Sequence, residues 1–282
     1  MSIGFFTFAQ GAEYHRMAYA LALSLKLSQH KYNKLSIAVT PGERVAHKYR
    51  EVFDQVIEIP WGDAARESTW KLENEWKAPH ITPYDETIKV DADMLFFSDI
   101  TYWIHSLSYS VMAFTTEVRT YRGEVITSDF HRKVFTANDL PNVYSALCYF
   151  KKWDATFEFF DTVRAITENT MEYFDRFLEP EHRPSFFSTD VAYGIAAKIH
   201  DSLELQAHTA SAMPTFVHLK TPLQGFNKLG DEDWVSHLPI DFTPNFECLI
   251  GNHRQIEPLH YYRKNFLTDE MIQIMERKLG IA

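Results

Sequence analysis

Apolar and polar positions along this chain follow two rhythms in turn. Ile3–Phe8, Leu35–Val39 and Gln55–Ile59 are apolar runs of strand length, the second closed by Thr40-Pro41-Gly42 and the third by Pro60. Between them Tyr14, Met17, Leu21 and Leu25 recur at helical spacing over Ala12–Leu27, and Glu43–Phe53 reads as another helix. Thr69–Lys77 reads as a helix stopped before Pro79, and the strand that ends at Asp91 follows it. Further strands are expected at Ser110–Thr115, Tyr144–Phe150 and Thr215–Leu219. Helices are expected at Lys152–Phe174, with Trp153, Phe157 and Phe160 on one face, at Thr189–Ile199, with Val191, Ile195 and Ile199 aligned, and at Thr268–Leu279. Strands alternating with helices predict an α/β fold, a mixed and mostly parallel central sheet with helices on both faces.

Within this pattern the segment Thr87-Ile88-Lys89-Val90-Asp91-Ala92-Asp93-Met94-Leu95-Phe96-Phe97 carries the chemistry. Two carboxylates sit two residues apart at the end of a buried-strand pattern. Burying a carboxylate is costly without a positive partner, and two together also repel. A divalent cation resolves both costs, and Mg²⁺ or Mn²⁺ takes carboxylate oxygens while leaving positions for substrate phosphates. Asp-x-Asp also occurs as a solvated turn, but such a turn rarely has Ile88, Val90, Met94, Leu95 and Phe96 around it. In open sheets of this class ligands bind beyond the carboxyl ends of the strands. Asp91 and Asp93 fall at that end, and so do Thr7, Phe8 and Ala9 after the first strand.

Composition narrows the picture. The 282 residues are 45% hydrophobic and 23% charged, enough for one large domain or a domain with an appendage. Only 10 Gly occur, and neither a GxGxxG nor a P-loop string is present, so a glycine-built phosphate cradle is not expected. The formal net charge of −10 argues against broad nucleic-acid binding. Cys148 and Cys248 form no metal or redox spacing and fit a reducing, cytoplasmic setting. No apolar run is long enough to span a bilayer, and Met1–Ala9 lacks the basic start of a signal peptide.

Four segments resemble GT-A-type glycosyltransferases, most closely the family-8-like retaining group. They are Ile88–Leu95, Tyr144–Phe150, Ser188-Thr189-Asp190-Val191-Ala192 and Thr215-Phe216-Val217-His218-Leu219-Lys220. Their order and spacing match over about residues 1–225, which would form the nucleotide-sugar-binding catalytic domain, with 226–282 a loop-rich and helical extension packed on it. The resemblance implies Mn²⁺ or Mg²⁺ and a nucleoside-diphosphate sugar donor, expected to be UDP-linked. It implies Asp91, Asp93 and His218 as metal ligands, Lys220 on the diphosphate, and Thr7, Phe8 and Ala9 on the nucleobase and ribose. Lys71 and Lys77 would reach the phosphates, and Asp190 would join Asp93 in catalysis by holding the donor sugar. His260, in Pro258-Leu259-His260-Tyr261-Tyr262, competes with His218, which is preferred because it follows a strand-like run.

The bland readings are a solvated helix face for Lys71 and Lys77 and a capping acid for Asp190. Rival functions are a haloacid-dehalogenase-type phosphatase, a nucleotidyltransferase and a non-catalytic sugar-nucleotide-binding module. The first wants Thr or Val where Leu95 stands, and the second a glycine-rich basic loop that Phe8-Ala9-Gln10-Gly11 does not supply. The Trp70–Lys77 segment is similar to glycosyltransferase-like proteins of tailed phages, which implies hydroxymethylated cytosine in DNA as one acceptor and a host cytoplasm as the location. The basic residues of Arg119–Lys133 would then meet DNA phosphates. A glycan, lipid or protein acceptor stays open.

Overall fold

The computed structural model describes residues 2–68, 71–126, 132–200, 214–225 and 237–281. The chain opens with β1 (Ile3–Phe8), α1 (Ala12–Ser28), β2 (Leu35–Val39), α2 (His47–Arg50) and β3 (Gln55–Glu58). After α3 (Ala78–Ile81) come β4 (Glu86–Val90), β5 (Met94–Leu95), α4 (Thr101–Leu107), β6 (Met112–Thr115) and β7 (Val118–Arg119). Then follow α5 (Lys133–Ala137), β8 (Tyr144–Lys151), α6 (Asp154–Glu168), α7 (Thr170–Phe177) and α8 (Thr189–Ile199). The chain closes with β9 (Phe216–His218), β10 (Ile240–Phe242), β11 (Cys248–Ile250), β12 (His253–Arg254), β13 (Leu259–His260) and α9 (Asp269–Leu279).

Six strands form the central sheet in the order β3-β2-β1-β4-β8-β6. The pairings among β3, β2, β1 and β4 are parallel, and β8 runs antiparallel to both its neighbours. Because successive side chains point to opposite faces, each strand feeds two cores. Phe5, Ile37, Ile88 and Tyr149 enter one core with α1 and α9, while Phe6, Phe8, Cys148 and Phe150 enter the other with α6 and α8. The mostly parallel sheet with helices on both faces is therefore as expected. Helix α1 is buried on almost every side, since α9 covers the flank the sheet leaves open. Thr268 caps α9 by accepting from Met271 N at 3.2 Å, and Gly280 ends it at φ 67.

Several expected elements change. Of Glu43–Phe53 only the four residues of α2 are helical, none of them buried, so no apolar stripe fixes a longer helix. Lys71–Asn74 is not helical, and Pro79 lies inside α3, at the start where proline is tolerated. The expected start of that helix, Thr69 and Trp70, lies outside the described residues. The long helix after Lys152 breaks at Asn169 into α6 and α7. Its inward stripe is Phe159, Phe160, Val163 and Ile166, whereas Trp153 is 50% exposed. Ile199 likewise faces solvent, and Tyr193 packs in its stead. No helix among the described residues is long and apolar enough to cross a membrane.

A second, four-stranded sheet runs β5-β13-β9-β7. It joins the residues just after Asp93 to three later parts of the chain, and it builds one wall of the cleft.

Candidate active site

A cleft of about 490 Å³ lies beyond the ends of β1 and β4. Asp91 follows the last residue of β4, and its N–H donates to Ala146 O of β8 at 3.0 Å, so the sheet fixes where the acidic turn begins. The turn ends in β5, whose Met94 pairs with His260 of β13, and Tyr261 N donates to Asp93 O at 3.1 Å. These backbone bonds bring His260 to the two carboxylates. Its Nε2 lies 3.2 Å from Asp93 Oδ1 and 3.9 Å from Asp91 Oδ2.

Ligand atoms of Asp91, Asp93 and His260 all lie within 4.8 Å of one another. Two carboxylates and an imidazole are a donor set suited to Mn²⁺ or Mg²⁺, so the residues fit the expected metal. Burial pushes the Asp93 carboxyl up, but His260, with Lys220 nearby, outweighs it and holds it below its ordinary value. Burial lowers His260, yet Asp93 and Asp91 together hold the ring above its usual value. The histidine that joins the carboxylates is thus His260, and the preference for His218 is not what the geometry supports. His218 sits opposite it on β9 and stacks on its ring, with centroids 4.7 Å apart.

Beneath Asp91 lies a buried cation. Lys89 is 1% exposed, and its Nζ contacts Glu75 Oε2, lies 3.2 Å from Asp91 Oδ1 and donates to Ser145 O at 3.0 Å. Burial opposes its charge, but Glu75 and Asp91 hold its pKa well above the ordinary value. Burial pushes the Glu75 carboxyl up to about 7 even though Lys89 pulls the other way. Glu75 lines the cleft.

Asp190, in the first turn of α8, is held differently. Its Oδ1 accepts from both Ser145 N and Ser145 Oγ at 2.8 Å, and its Oδ2 from Arg132 Nη1 at 2.6 Å. Burial raises its pKa, but Arg132 and then Ser145 bring it below the ordinary value. The Arg132 guanidinium lies between the rings of Phe135 and Tyr144, at 3.7 and 4.0 Å from their centroids. No side chain caps α8, so Asp190 is not the capping acid: it ties α8 to the cleft edge of β8.

The other expected residues divide. Thr7 and Phe8 line the cleft, whereas Ala9 is fully buried and its N–H donates to Ala38 O at 2.8 Å. Lys220 lines it, with Nζ 5.5 Å from the Tyr262 ring centre. Lys71 lines it too, at φ 58, but its Nζ donates to Ala65 O at 2.9 Å. Lys77 is not brought there: its Nζ reaches Gly62 O, and it lines a different cavity. The three arginines of the basic segment are each paired locally. Arg119 pairs with Glu117 and Glu257, each at 3.3 Å, Arg122 with Glu124 at 3.0 Å, and Arg132 with Asp190.

Sequence reasoning passed over Glu75, Lys89 and Tyr14, all of them at the site. A lysine inside an apolar strand two residues before Asp91 was a readable sign, since a buried ammonium needs carboxylates. Tyr14 lines the cleft, and burial with Asp93 and Asp91 pushes its phenol up to about 12. Also missed was a polar cluster at the β1 end of the cleft. Gln10 Nε2 donates to Thr40 Oγ1 at 3.1 Å and to Asp63 at 2.9 Å, and Asn74 Nδ2 donates to Asp63 Oδ1 at 2.6 Å.

No family model matches the chain, and no curated protein matches it by sequence. Solved structures do match. The galactosyltransferase LgtC, solved with donor and acceptor sugar analogs, superposes at a TM-score of 0.54 with 11% identity, covering 99% of this chain and 94% of that one. Mouse xyloside xylosyltransferase 1 superposes at 0.52 with 12% identity, covering 92% of this chain and 97% of that one. At such identities the likeness is one of fold: this chain has the mixed α/β, GT-A-type fold that these glycosyltransferases share.

Proposed function

We propose that the protein is a divalent-metal-dependent glycosyltransferase that moves a sugar from a nucleoside-diphosphate sugar, UDP-linked in our reading, to a hydroxyl acceptor. The observation that carries this is the convergence of Asp91, Asp93 and His260 within 4.8 Å, at the strand ends of a GT-A-type fold. Mn²⁺ or Mg²⁺ held there would neutralise the diphosphate as it leaves. Lys220, on the same wall, is placed to add a second positive charge. Thr7 and Phe8 floor the end assigned to the nucleobase and ribose. Asp190, fixed by Arg132 and Ser145, offers a rigid negative edge to sugar hydroxyls.

We read the reaction as retaining. Both oxygens of Asp190 are engaged and its pKa is lowered, which makes it a weak base. A second reading, inversion, draws on Glu75, whose carboxyl in the cleft is pushed up to about 7, within the range of a general base. The anomeric configuration of the product, read by NMR, separates the two. For the acceptor, the local pairing of Arg119, Arg122 and Arg132 favours a neutral hydroxyl-bearing molecule over hydroxymethylated cytosine in DNA.

Calorimetric titration of UDP tests the core of this reading. Binding is expected with Mn²⁺, and is expected to vanish with EDTA or in Asp93→Ala. UDP binding that ignores both metal and Asp93 would sink the proposal.

A further inference from the structure

A separate cavity of about 560 Å³ lies on the other flank of the segment that walls the cleft. Lys71, Leu72 and Glu75 face the cleft, whereas Glu73, Trp76 and Lys77 line this second cavity. Trp61 and α6 close it, the helix contributing Asp161, Arg164 and Glu168.

We propose that this cavity is a binding site for a neutral oligosaccharide, which holds an acceptor glycan beside the transfer site; the acceptor role rests on the sugar-transfer reading above. Trp61 is 67% exposed, and its ring lies nearly parallel to Trp76, at 10° with centroids 6.0 Å apart. Trp76 is buried, so it is the exposed indole of Trp61 that offers a flat apolar face to the C–H face of a sugar ring. Trp61 also has φ 58, a backbone conformation that a bulky side chain adopts only at a cost. A strained residue that leaves two thirds of its indole in solvent is poorly explained by packing alone. Trp76 is fixed more firmly, with Arg164 4.8 Å and Lys77 5.4 Å from its ring centre and His80 against it.

The charges select the ligand class. Glu73, Asp161 and Glu168 face the cations Lys77 and Arg164. Burial pushes His80 below its usual value, so it adds little positive charge at neutral pH. Glu168 is paired with Arg164 at 2.8 Å, which leaves Glu73 and Asp161 to accept hydrogen bonds from hydroxyls, and the excess of carboxylates disfavours an anionic polymer. The cavity volume lies within the usual range for a site that encloses a small ligand.

The test titrates the full chain, without metal or nucleotide, with maltohexaose, xylohexaose and N-acetylchitohexaose, and with a sulfated hexasaccharide as control. Tryptophan fluorescence and calorimetry are the readouts. At least one neutral oligosaccharide is expected to bind saturably. Trp61→Ala is expected to weaken it by about tenfold or more, Trp61→Phe to recover part of the loss, and Asp93→Ala to leave it unchanged. No binding of the neutral probes, binding of the sulfated probe alone, or binding indifferent to Trp61→Ala would each overturn the proposal. The UDP–Mn²⁺ titration of the wild type runs in parallel. Its failure would remove the transferase reading and the acceptor role while leaving the oligosaccharide result to stand by itself.

Discussion

Two acidic centres line one cleft, and they are held in different ways. Asp190 has every short contact it needs from the protein, from Arg132 and from the N–H and hydroxyl of Ser145. Asp91 and Asp93 lie side by side with a single histidine between them and a lysine below. The first arrangement is complete as folded and serves as a fixed negative edge. In the second, His260, Lys89 and Lys220 balance the carboxylate charge, and ligand atoms of both carboxylates and the imidazole converge within 4.8 Å in the cleft. A carboxylate bonded on both oxygens within the chain is a fixed edge, and two carboxylates gathered with an imidazole are a donor set that a cation can take up.

Mutations should separate these roles. Asp190→Ala strands the Arg132 guanidinium, and a loss of roughly 3 kcal/mol in unfolding free energy is expected, the low end for breaking a buried pair, because Asp190 stays partly exposed. Urea unfolding measures it; an unchanged midpoint would place Asp190 with the binding centre. His260→Ala should instead leave the fold intact and weaken Mn²⁺-supported UDP binding by on the order of a hundredfold, with His218→Ala costing clearly less. The reverse order in calorimetry would restore His218 as the ligand. Lys89→Ala should lower Mn²⁺ affinity by about tenfold to a hundredfold, because Lys89 holds Asp91 without facing the cleft itself. Equal Mn²⁺ affinity in Lys89→Ala and wild type would reduce Lys89 to a packing element.

The smallest effect is one of pH. The Glu75 carboxyl is raised in the folded protein from 4.5 to about 7, so the unfolded chain releases that proton first as pH rises. Folded stability should therefore fall gradually from pH 4.5 to 7 on account of this group and level off above. Glu75→Gln should flatten that slope in melting temperatures measured across the window. Asp190 carries the opposite sign. Its depressed carboxyl gives stability that is present above 3.8 and lost only in stronger acid.

Legibility in the sequence followed the reach of each interaction. β1, β2 and α8 were readable because apolar runs and helical spacing are local signals, and Asp91 and Asp93 stood out against their apolar flanks. Glu43–Phe53 misled because a polar stretch with scattered apolar residues carries no periodic stripe, and only α2 forms there. His260 was undervalued because β13 is two residues long, too short for a period, and its place is fixed by pairing with β5 and β9. Lys89 and Glu75 meet through tertiary packing between a strand and a short turn, and no spacing rule announces such a contact. Arg132 was read as a partner for phosphate, whereas the fold turns it inward onto Asp190.

The late strand β13 has a consequence for how this protein matures. Asp91 and Asp93 leave the ribosome long before His260, and no strand of the sheet from β3 to β6 pairs with β13. A nascent chain thus has every strand of its central sheet before the centre gains its histidine, which arrives when β13 slots between β5 and β9. A polypeptide stopped before β13 would lack both that ligand and α9, the cover of α1, so one last stretch of chain completes the centre and closes the first core.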